Sequence, residues 1–254
     1  MKILVLPDIH GRRFWENAVE NIDSCDKVLF LGDYLDPYDF EDILVRKAID
    51  NFRKIIDFAK SHPSKVVMLL GNHDMPYYSD DYRALSHYHC RWSGEWHYVI
   101  KGIFVENNQL FKIAHVEDNV LFTHAGCNKQ WLKSLETVPN SLCDLETMLN
   151  NLVNSEEGLR LLYMVSSYRG GDDDAGSCIW AHVDEIANDY DGLSFADCKD
   201  VKQVFGHTLQ VEYDEDWNIV SGGSIETPNA KMLDTRCAYL LDTATFIAEP
   251  VPLL

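Results

Sequence analysis

The 254-residue chain has few basic residues and no CxxC pair among its seven cysteines. Lys and Arg number 22 against 41 Asp and Glu, which gives a formal net charge of −19. Binding to nucleic acid through its phosphates requires clustered basic side chains, so we expect no nucleic-acid partner. Cysteines without a pairing pattern fit a reducing compartment better than a disulfide framework, and we therefore expect a cytoplasmic protein.

The chain also lacks an apolar run that approaches the length of a membrane span, and its first residues read as a strand rather than a signal peptide. We therefore expect no membrane association. No internal repeat and no Pro/Gly/Ser-rich linker is visible. Because the motifs described next extend from position 8 to position 207, division of the chain would divide them, and residues 1–254 are predicted to form a single domain.

Five short apolar runs each end in residues that can bind a divalent metal ion. The runs read LVLPDIH, VLFLGDYLD, VVMLLGNHD, VLFTHAG and VFGHT. Their polar ends are Asp8 and His10, Asp33 and Asp36, Asn72 to Asp74, His124, and His207. Runs rich in Val, Ile, Leu and Phe that stop at Gly or a polar residue predict buried strands. Because open α/β folds place their sites at the rim of a sheet, we expect these polar residues to form one cluster.

The sequence between the motifs predicts the local structure. Strands alternate with helices at about 12–22 and 41–59, which implies parallel strands joined by crossover helices. An irregular, aromatic-rich insertion is expected at about 76–99, followed by a hairpin over 111–126 that turns at Asp118-Asn119. Two or three helices are expected over 128–165, with strands after Lys202.

The residue types in these motifs indicate a two-metal hydrolytic site. Carboxylates, neutral imidazoles and an Asn carbonyl suit Mn²⁺, Fe or Zn²⁺, and Mn²⁺ is the preferred prediction. The carboxylate of Asp33 can bridge two ions about 3.5–4 Å apart. His73 directly follows Asn72, a position that suits a general acid protonating the leaving oxygen. Asp36 can accept the other ring N–H of His73 and fix its tautomer.

The set DIHG, GDYLD, GNHD, THAG and GHT, in this order, resembles the calcineurin-like metallophosphoesterases, and its spacing is closest to the serine/threonine phosphoprotein phosphatases. The resemblance covers nearly the whole chain. It implies an α/β fold, a four-layer α/β/β/α sandwich of two mixed sheets flanked by helices. It also implies a catalytic acid at His73, paired with Asp36. The metal ligands that it implies are Asp8, His10 and Asp33 for the first ion and Asp33, Asn72, His124 and His207 for the second.

The chain departs from the phosphoprotein phosphatases in its arginines. Those enzymes usually place Arg directly after the position of Asp36, where its guanidinium contacts the substrate phosphate, whereas this chain has Pro37. A later phosphate-binding Arg has no clear counterpart. Arg169 in the segment SYRGG is a candidate for substrate binding, and an ordinary surface arginine in a glycine turn is the alternative interpretation.

These observations predict a dinuclear metal-dependent phosphatase that hydrolyses phosphomonoesters by attack of metal-bound hydroxide, with phosphoserine or phosphothreonine as candidate substrates. A phosphodiesterase or dinucleoside-polyphosphate hydrolase on the same metal core is one alternative, which the missing Arg after Asp36 leaves open. A non-catalytic metal-binding scaffold is the other. It is disfavoured because all the expected ligands and the expected acid are present.

Overall fold

Two mixed β-sheets pack face to face and carry helices on their outer faces. The computed structural model describes residues 1–20, 22–85, 91–137, 139–187, 192–195, 198–208, 211–213, 219–221, 225–233 and 236–251. The strands are β1 (Lys2–Leu6), β2 (Lys27–Phe30), β3 (Val66–Leu69), β4 (Phe111–Lys112), β5 (Ala114–Glu117), β6 (Val120–Thr123), β7 (Lys202–Phe205), β8 (Val211–Tyr213), β9 (Ile219–Ser221), β10 (Ile225–Thr227), β11 (Ala230–Met232), β12 (Tyr239–Asp242) and β13 (Ile247–Pro250). The helices are α1 (Phe14–Ala18), α2 (Val45–Ser61), α3 (Met75–Tyr78), α4 (Asp80–Leu85), α5 (His97–Glu106), α6 (Lys129–Leu132), α7 (Leu142–Asn151), α8 (Glu156–Leu162) and α9 (Val183–Ala187).

The first sheet has the strand order β13-β12-β1-β2-β3-β4. Strands β1 to β4 run parallel, with Val5 opposite Leu29 and Leu29 opposite Val67, while β12 and β13 add antiparallel. The predicted parallel strands with crossover helices are therefore confirmed. The central strands read as unbroken apolar runs because both faces of the sheet are covered.

The second sheet has the strand order β10-β11-β7-β6-β5, and β8 pairs with β9 in a separate ribbon. Strands β5 and β6 form the predicted hairpin, which turns at Asp118 with a φ of 55°. The first strand of that prediction is divided, however, because Phe111 and Lys112 pair with β3 of the first sheet. At the crossing, the side-chain oxygen of Asn150 accepts the backbone N–H groups of Ile113 and Ala114 at 2.7 and 3.0 Å. A side chain from a helix thus accepts the hydrogen bonds of two backbone N–H groups where the chain passes from one sheet to the other.

Successive side chains of a strand point to opposite faces of the first sheet, so each face has its own apolar core. Ile3 and Val5 face the second sheet and pack in one cluster with Phe122 and Val204. Leu4 and Leu6 point to the other face, where they share a cluster with apolar residues of α2. Helix α9 covers the outer face of the second sheet in a cluster that includes Phe205. The predicted four-layer sandwich is confirmed, and the inter-sheet core brings the carboxyl ends of β1–β3 and β6–β7 together.

Two local predictions need correction. The insertion at 76–99 is helical rather than irregular in α3, α4 and the start of α5, whereas residues 91–96 have no regular structure, as predicted; residues 86–90 lie outside the described part. Pro76 stands in the first turn of α3, where the missing N–H has no helical partner to lose. The second predicted helix begins later than expected, at Val45, because Asp42 is left-handed with a φ of 52° and Leu44 is extended.

Within the described ranges, no helix combines the length and apolar character needed to cross a membrane. The cysteines described there are free thiols.

Candidate metal centre

The residues that end the five apolar runs meet between the two sheets. Asp8 and His10 follow β1, Asp33 and Asp36 follow β2, and Asn72 and His73 follow β3, whereas His124 follows β6 and His207 follows β7. All are buried except the half-buried His207. The expectation that they occupy the rim of one sheet is therefore wrong in one respect. The cluster joins the carboxyl ends of two sheets, because the shared apolar core aligns them.

Asp33 lies at the centre of the cluster. Its Oδ2 is 3.4 Å from Nε2 of His10 and 3.4 Å from Nε2 of His124. Its Oδ1 accepts the backbone N–H of His73 at 2.9 Å, which fixes the orientation of the carboxylate. One oxygen of Asp33 thus faces an imidazole from each of the two predicted ligand sets.

The Nε2 atom of His124 faces other atoms that could bind a metal ion. Its Nδ1–H donates to the carbonyl of Leu31 at 2.9 Å, which leaves Nε2 facing Asn72 Oδ1 and His207 Nδ1, each 3.0 Å away. Ligand atoms of Asp33, His124 and His207 all lie within 4.8 Å of one another. Oxygen and nitrogen atoms with lone pairs converge here at distances that suit a shared cation.

His10 is oriented in the same manner as His124. Its Nδ1–H donates to the carbonyl of Leu35 at 2.8 Å, so its Nε2 faces Asp33. Asp8 accepts the backbone N–H of His207 at 2.9 and 3.1 Å, which ties the loop after β7 to the loop after β1. Hydrogen bonds of this kind fix tautomers and ring planes around metal ligands in proteins.

Four residues of the cluster have left-handed backbone conformations. The φ angles are 44° at His10, 52° at Asp33, 56° at Asp36 and 67° at His207. Such conformations cost about 1–3 kcal/mol each outside glycine and are concentrated at functional sites. The loops are also closely packed, because a Cβ on Gly71 would lie 2.2 Å from Asp33 Oδ1.

Asp74 supports this arrangement, a role that its sequence context alone did not predict. Its fully buried carboxylate accepts the backbone N–H groups of Asp33, Tyr34 and Gly71 at 2.7, 3.0 and 2.9 Å. Burial and the neighbouring Asp33 raise the pKa of Asp74 to about 8, although the three N–H donors oppose that rise. Asp74 therefore joins the loops after β2 and β3 beneath the cluster. The only sequence feature that pointed to Asp74 was its position directly after His73.

Burial and mutual charge shift the pKa values in the cluster. Burial raises the pKa of Asp8 to about 6 and lowers the pKa of His10 to about 3. Burial also lowers the pKa of His124, but the carboxylates of Asp33 and Asp8 outweigh it and raise the value to about 9. Burial raises the pKa of Asp33, but His124 and His73 outweigh it and hold the value well below its usual range. The carboxylates of the cluster therefore favour a positive charge between them.

His73 and Asp36 form a pair beside the cluster. His73 Nδ1 lies 3.4 Å from Asp36 Oδ2 and 3.2 Å from the carbonyl oxygen of Arg91. The other carboxylate oxygen of Asp36 accepts the hydroxyl of Tyr77 at 2.7 Å. Burial lowers the pKa of His73, but Asp33 and Asp36 outweigh it and raise the value. Tyr77 and Arg91 come from the insertion, and neither was identified from the sequence.

Arg169 reaches the second-sheet side of the cluster. Its Nη2 donates to the hydroxyl of Thr208, the neighbour of His207, and its Nε is buried without a hydrogen-bond partner in the described part of the chain. Burial lowers the pKa of Arg169, while Tyr38 and Asp8 oppose that change. Arg169 is therefore a partly buried cation near the carboxylates rather than a surface arginine. Arg12, by contrast, is held by Glu41 at 2.7 Å.

Comparison with known proteins agrees with this description. The sequence profile of the calcineurin-like phosphoesterases matches residues 1–211. The cold-active protein-tyrosine phosphatase of a psychrophilic Shewanella species is similar in structure, with a TM-score of 0.52 and 14% identity over 99% of this chain and 80% of that one. A further structure of a cold-active protein tyrosine phosphatase has a TM-score of 0.52 and 14% identity over 98% of this chain and 78% of that one. At these identities the similarity concerns the fold alone. No curated protein sequence matches the chain significantly.

Proposed function

This chain belongs to the calcineurin-like phosphoesterase family, and we propose that within it the protein is a dinuclear metal-dependent phosphatase that hydrolyses phosphomonoesters. The observation that carries the proposal is the position of Asp33 Oδ2, 3.4 Å from both His10 and His124. The ring of His73 lies 5.2 Å from the ring of His10, so a proton donor stands directly beside this cluster. Because both sheets supply ligands, we propose that residues 1–254 act as one functional unit.

The donor set fits two divalent ions. Asp8, His10 and Asp33 would hold the first, and Asp33, Asn72, His124 and His207 would hold the second. Mixed carboxylate, imidazole and amide oxygen ligands favour Mn²⁺ in our proposal, with Fe and Zn²⁺ as alternatives. Such a pair of ions lowers the pKa of a water molecule and neutralises charge on the phosphoryl oxygens.

His73 is the residue that we assign to proton transfer. Its Nδ1 is engaged by Asp36 and by the carbonyl oxygen of Arg91, which leaves Nε2 to hold the proton that the leaving oxygen receives. Asp36 stabilises the imidazolium, and the hydroxyl of Tyr77 holds Asp36 in place. Arg169, whose Nη2 donates to Thr208 in the loop after β7, would contact phosphoryl oxygens.

A phosphodiesterase or dinucleoside-polyphosphate hydrolase is the second candidate function. Pro37 favours it, because the loop after Asp36 has no guanidinium for the second charge of a monoester. Asp36 and His73 serve either reaction, since both reactions require protonation of a leaving oxygen.

The test compares p-nitrophenyl phosphate with bis(p-nitrophenyl) phosphate on Mn²⁺-loaded protein, with Asp33→Asn as the negative control. Higher kcat/KM on the monoester supports the proposal, and higher kcat/KM on the diester supports the second candidate. Full metal content with turnover of neither ester would contradict both and indicate a metal-binding scaffold. Phosphoserine, phosphothreonine and phosphotyrosine peptides then identify the substrate class. The last is included because the similar structures are described as protein-tyrosine phosphatases.

A further inference from the structure

A guanidinium lies beside the loop after Asp36 although that loop carries Pro37. The Nη2 of Arg91 donates to the backbone carbonyl oxygen of Asp36 at 3.0 Å, the oxygen of the peptide bond that joins Asp36 to Pro37. Arg91 belongs to the insertion and is 55 residues further along the chain than Asp36. Position 37 has no guanidinium because it is proline. The fold places the guanidinium of Arg91, from another segment of the chain, beside the same peptide bond.

The guanidinium of Arg91 is fixed in orientation. Its central carbon lies 3.9 Å from the ring centroid of Tyr38, a cation–π contact. The ring of Tyr38 in turn lies 5.0 Å from the ring of His10 in an edge-on contact. Arg91 is thus one aromatic ring away from a predicted metal ligand. An arginine held in this way loses little conformational freedom when it binds an anion.

Arg91 differs from Arg12 and Arg53 in that no carboxylate in the described part of the chain balances its charge. Arg12 pairs with Glu41 at 2.7 Å, and Arg53 lies 3.7 Å from Asp50. Among the residues that the structure describes, no carboxylate pairs with the exposed Arg91. An arginine offers five N–H donors and only part of them is used here, so Arg91 can bind an anion without breaking an ion pair.

The main chain of Arg91 connects the same residue to the proposed acid. Its carbonyl oxygen accepts from His73 Nδ1 at 3.2 Å, while its side chain contacts the carbonyl oxygen of Asp36. Arg91 therefore lies on the side of the cluster that carries the His73–Asp36 pair, whereas Arg169 contacts Thr208 next to His207.

We propose that Arg91 binds non-bridging oxygens of a dianionic phosphoryl group in the active site, in place of the arginine that is missing after Asp36. The ligand class is the phosphate of a monoester or its product, orthophosphate. The proposal rests on the proposed phosphatase function. The insertion then has two functions. Arg91 binds the substrate, and Tyr77 donates a hydrogen bond that holds Asp36.

The experiment measures orthophosphate affinity by isothermal titration calorimetry on Mn²⁺-loaded wild type, Arg91→Ala and Arg91→Lys. Arg53→Ala is the matched control, because it removes the same charge from the exposed surface of α2. We expect Arg91→Ala to weaken orthophosphate binding about tenfold to a hundredfold, the range for a hydrogen bond between charged groups. Arg91→Lys should lose less, since it keeps the charge but not the fork of donors. Arg53→Ala should match wild type, and all variants should hold the same metal content.

Orthophosphate affinity equal to that of wild type in Arg91→Ala would overturn the proposal. If that equal affinity came with a lower kcat, Arg91 would instead be a positioning residue for His73. Failure of the phosphatase proposal is distinguishable, because wild type would then bind orthophosphate without turning over p-nitrophenyl phosphate. The calorimetric comparison of Arg91→Ala with Arg53→Ala remains decisive in that case.

Discussion

The backbone N–H of His73 donates to Oδ1 of Asp33 at 2.9 Å, so the proposed acid and the proposed bridging ligand are fixed to each other. The other oxygen of Asp33 faces His10 and His124. A change at Asp33 should therefore alter both halves of the metal centre, whereas a change at a ligand of one half should not.

Asp33→Asn should lose both metal ions or bind them weakly, because an amide oxygen brings no negative charge to either ion. His124→Ala should mainly empty the second site and leave the ion at Asp8 and His10. Metal content after gel filtration, measured by inductively coupled plasma mass spectrometry, checks both variants. Two ions per chain in Asp33→Asn would contradict the bridging role.

His73→Asn should keep its metal content and lose turnover by about two to four powers of ten, the range for general acid–base catalysis. The loss should be smaller for aryl phosphates whose leaving groups are stable anions, since they need a proton least. Asp36→Asn should have a weaker effect of the same kind, through misorientation of the imidazole. An equal loss across leaving groups would assign His73 to positioning rather than to proton transfer.

Tyr77→Phe removes the hydroxyl that donates to Asp36 at 2.7 Å. We expect kcat to fall roughly tenfold, the lower end of the range for groups that orient a functional side chain. Asp36 already raises the pKa of His73, and a carboxylate that loses a donor raises it further. Since an acid fails when it loses its proton, the high-pH limb of the kcat profile should move to higher pH.

The matched control for Tyr77 is Tyr98→Phe, which removes a hydroxyl from an 84% exposed side chain of the same insertion. It should leave kcat and the pH profile unchanged. A Tyr77→Phe enzyme with lower kcat but an unshifted high-pH limb would show that Tyr77 supports the fold without acting through His73.

Arg169→Ala should lower kcat/KM for monoesters about tenfold to a hundredfold, because one charge-assisted contact is worth about 1.5–3 kcal/mol. A diester carries one charge fewer and should lose less. Steady-state kinetics on the two p-nitrophenyl esters measures both effects. Unchanged monoester kinetics would assign Arg169 to the support of Thr208 and leave Arg91 as the arginine that binds phosphate.

Asp74→Ala should destabilise the protein, because it leaves three buried N–H groups without their acceptor. We expect a loss of about 3 kcal/mol or more in the free energy of unfolding, since each buried donor left without an acceptor costs about 1–3 kcal/mol. Asp74→Asn keeps one oxygen acceptor and should lose less. Urea unfolding checks this, with the exposed Asp172→Ala as a control that should change stability little. Equal stability of Asp74→Ala and Asp172→Ala would contradict the supporting role.

The sequence predicted the parts of this molecule that depend on local pattern. The five strands that precede the cluster, β1, β2, β3, β6 and β7, are recognisable as apolar runs, and residues such as Asp8 and His207 come shortly after those runs. Alternation of strands and helices over the first 75 residues sufficed for the parallel order of β1 to β3. The two-sheet sandwich came from the resemblance of the motifs to a family rather than from periodicity.

The missing parts depend on contacts between distant segments. Tyr77 bonds Asp36 from 41 positions away, and Arg91 reaches the same residue from 55 positions away. No local sequence pattern identifies such pairs. In sequence, an aromatic-rich segment that lines an active site looks the same as one that only packs against the core. The division of the hairpin strand between two sheets was missed for the same reason, because it depends on Asn150 in α7.

The most direct test of the two-metal account titrates metal-free protein with Mn²⁺ while bound metal and turnover of p-nitrophenyl phosphate are measured on the same samples. We predict that kcat reaches its plateau at two ions per chain and that Asp33→Asn shows no plateau in that range. Full turnover of metal-free protein, or a plateau at a single bound ion, would contradict the account.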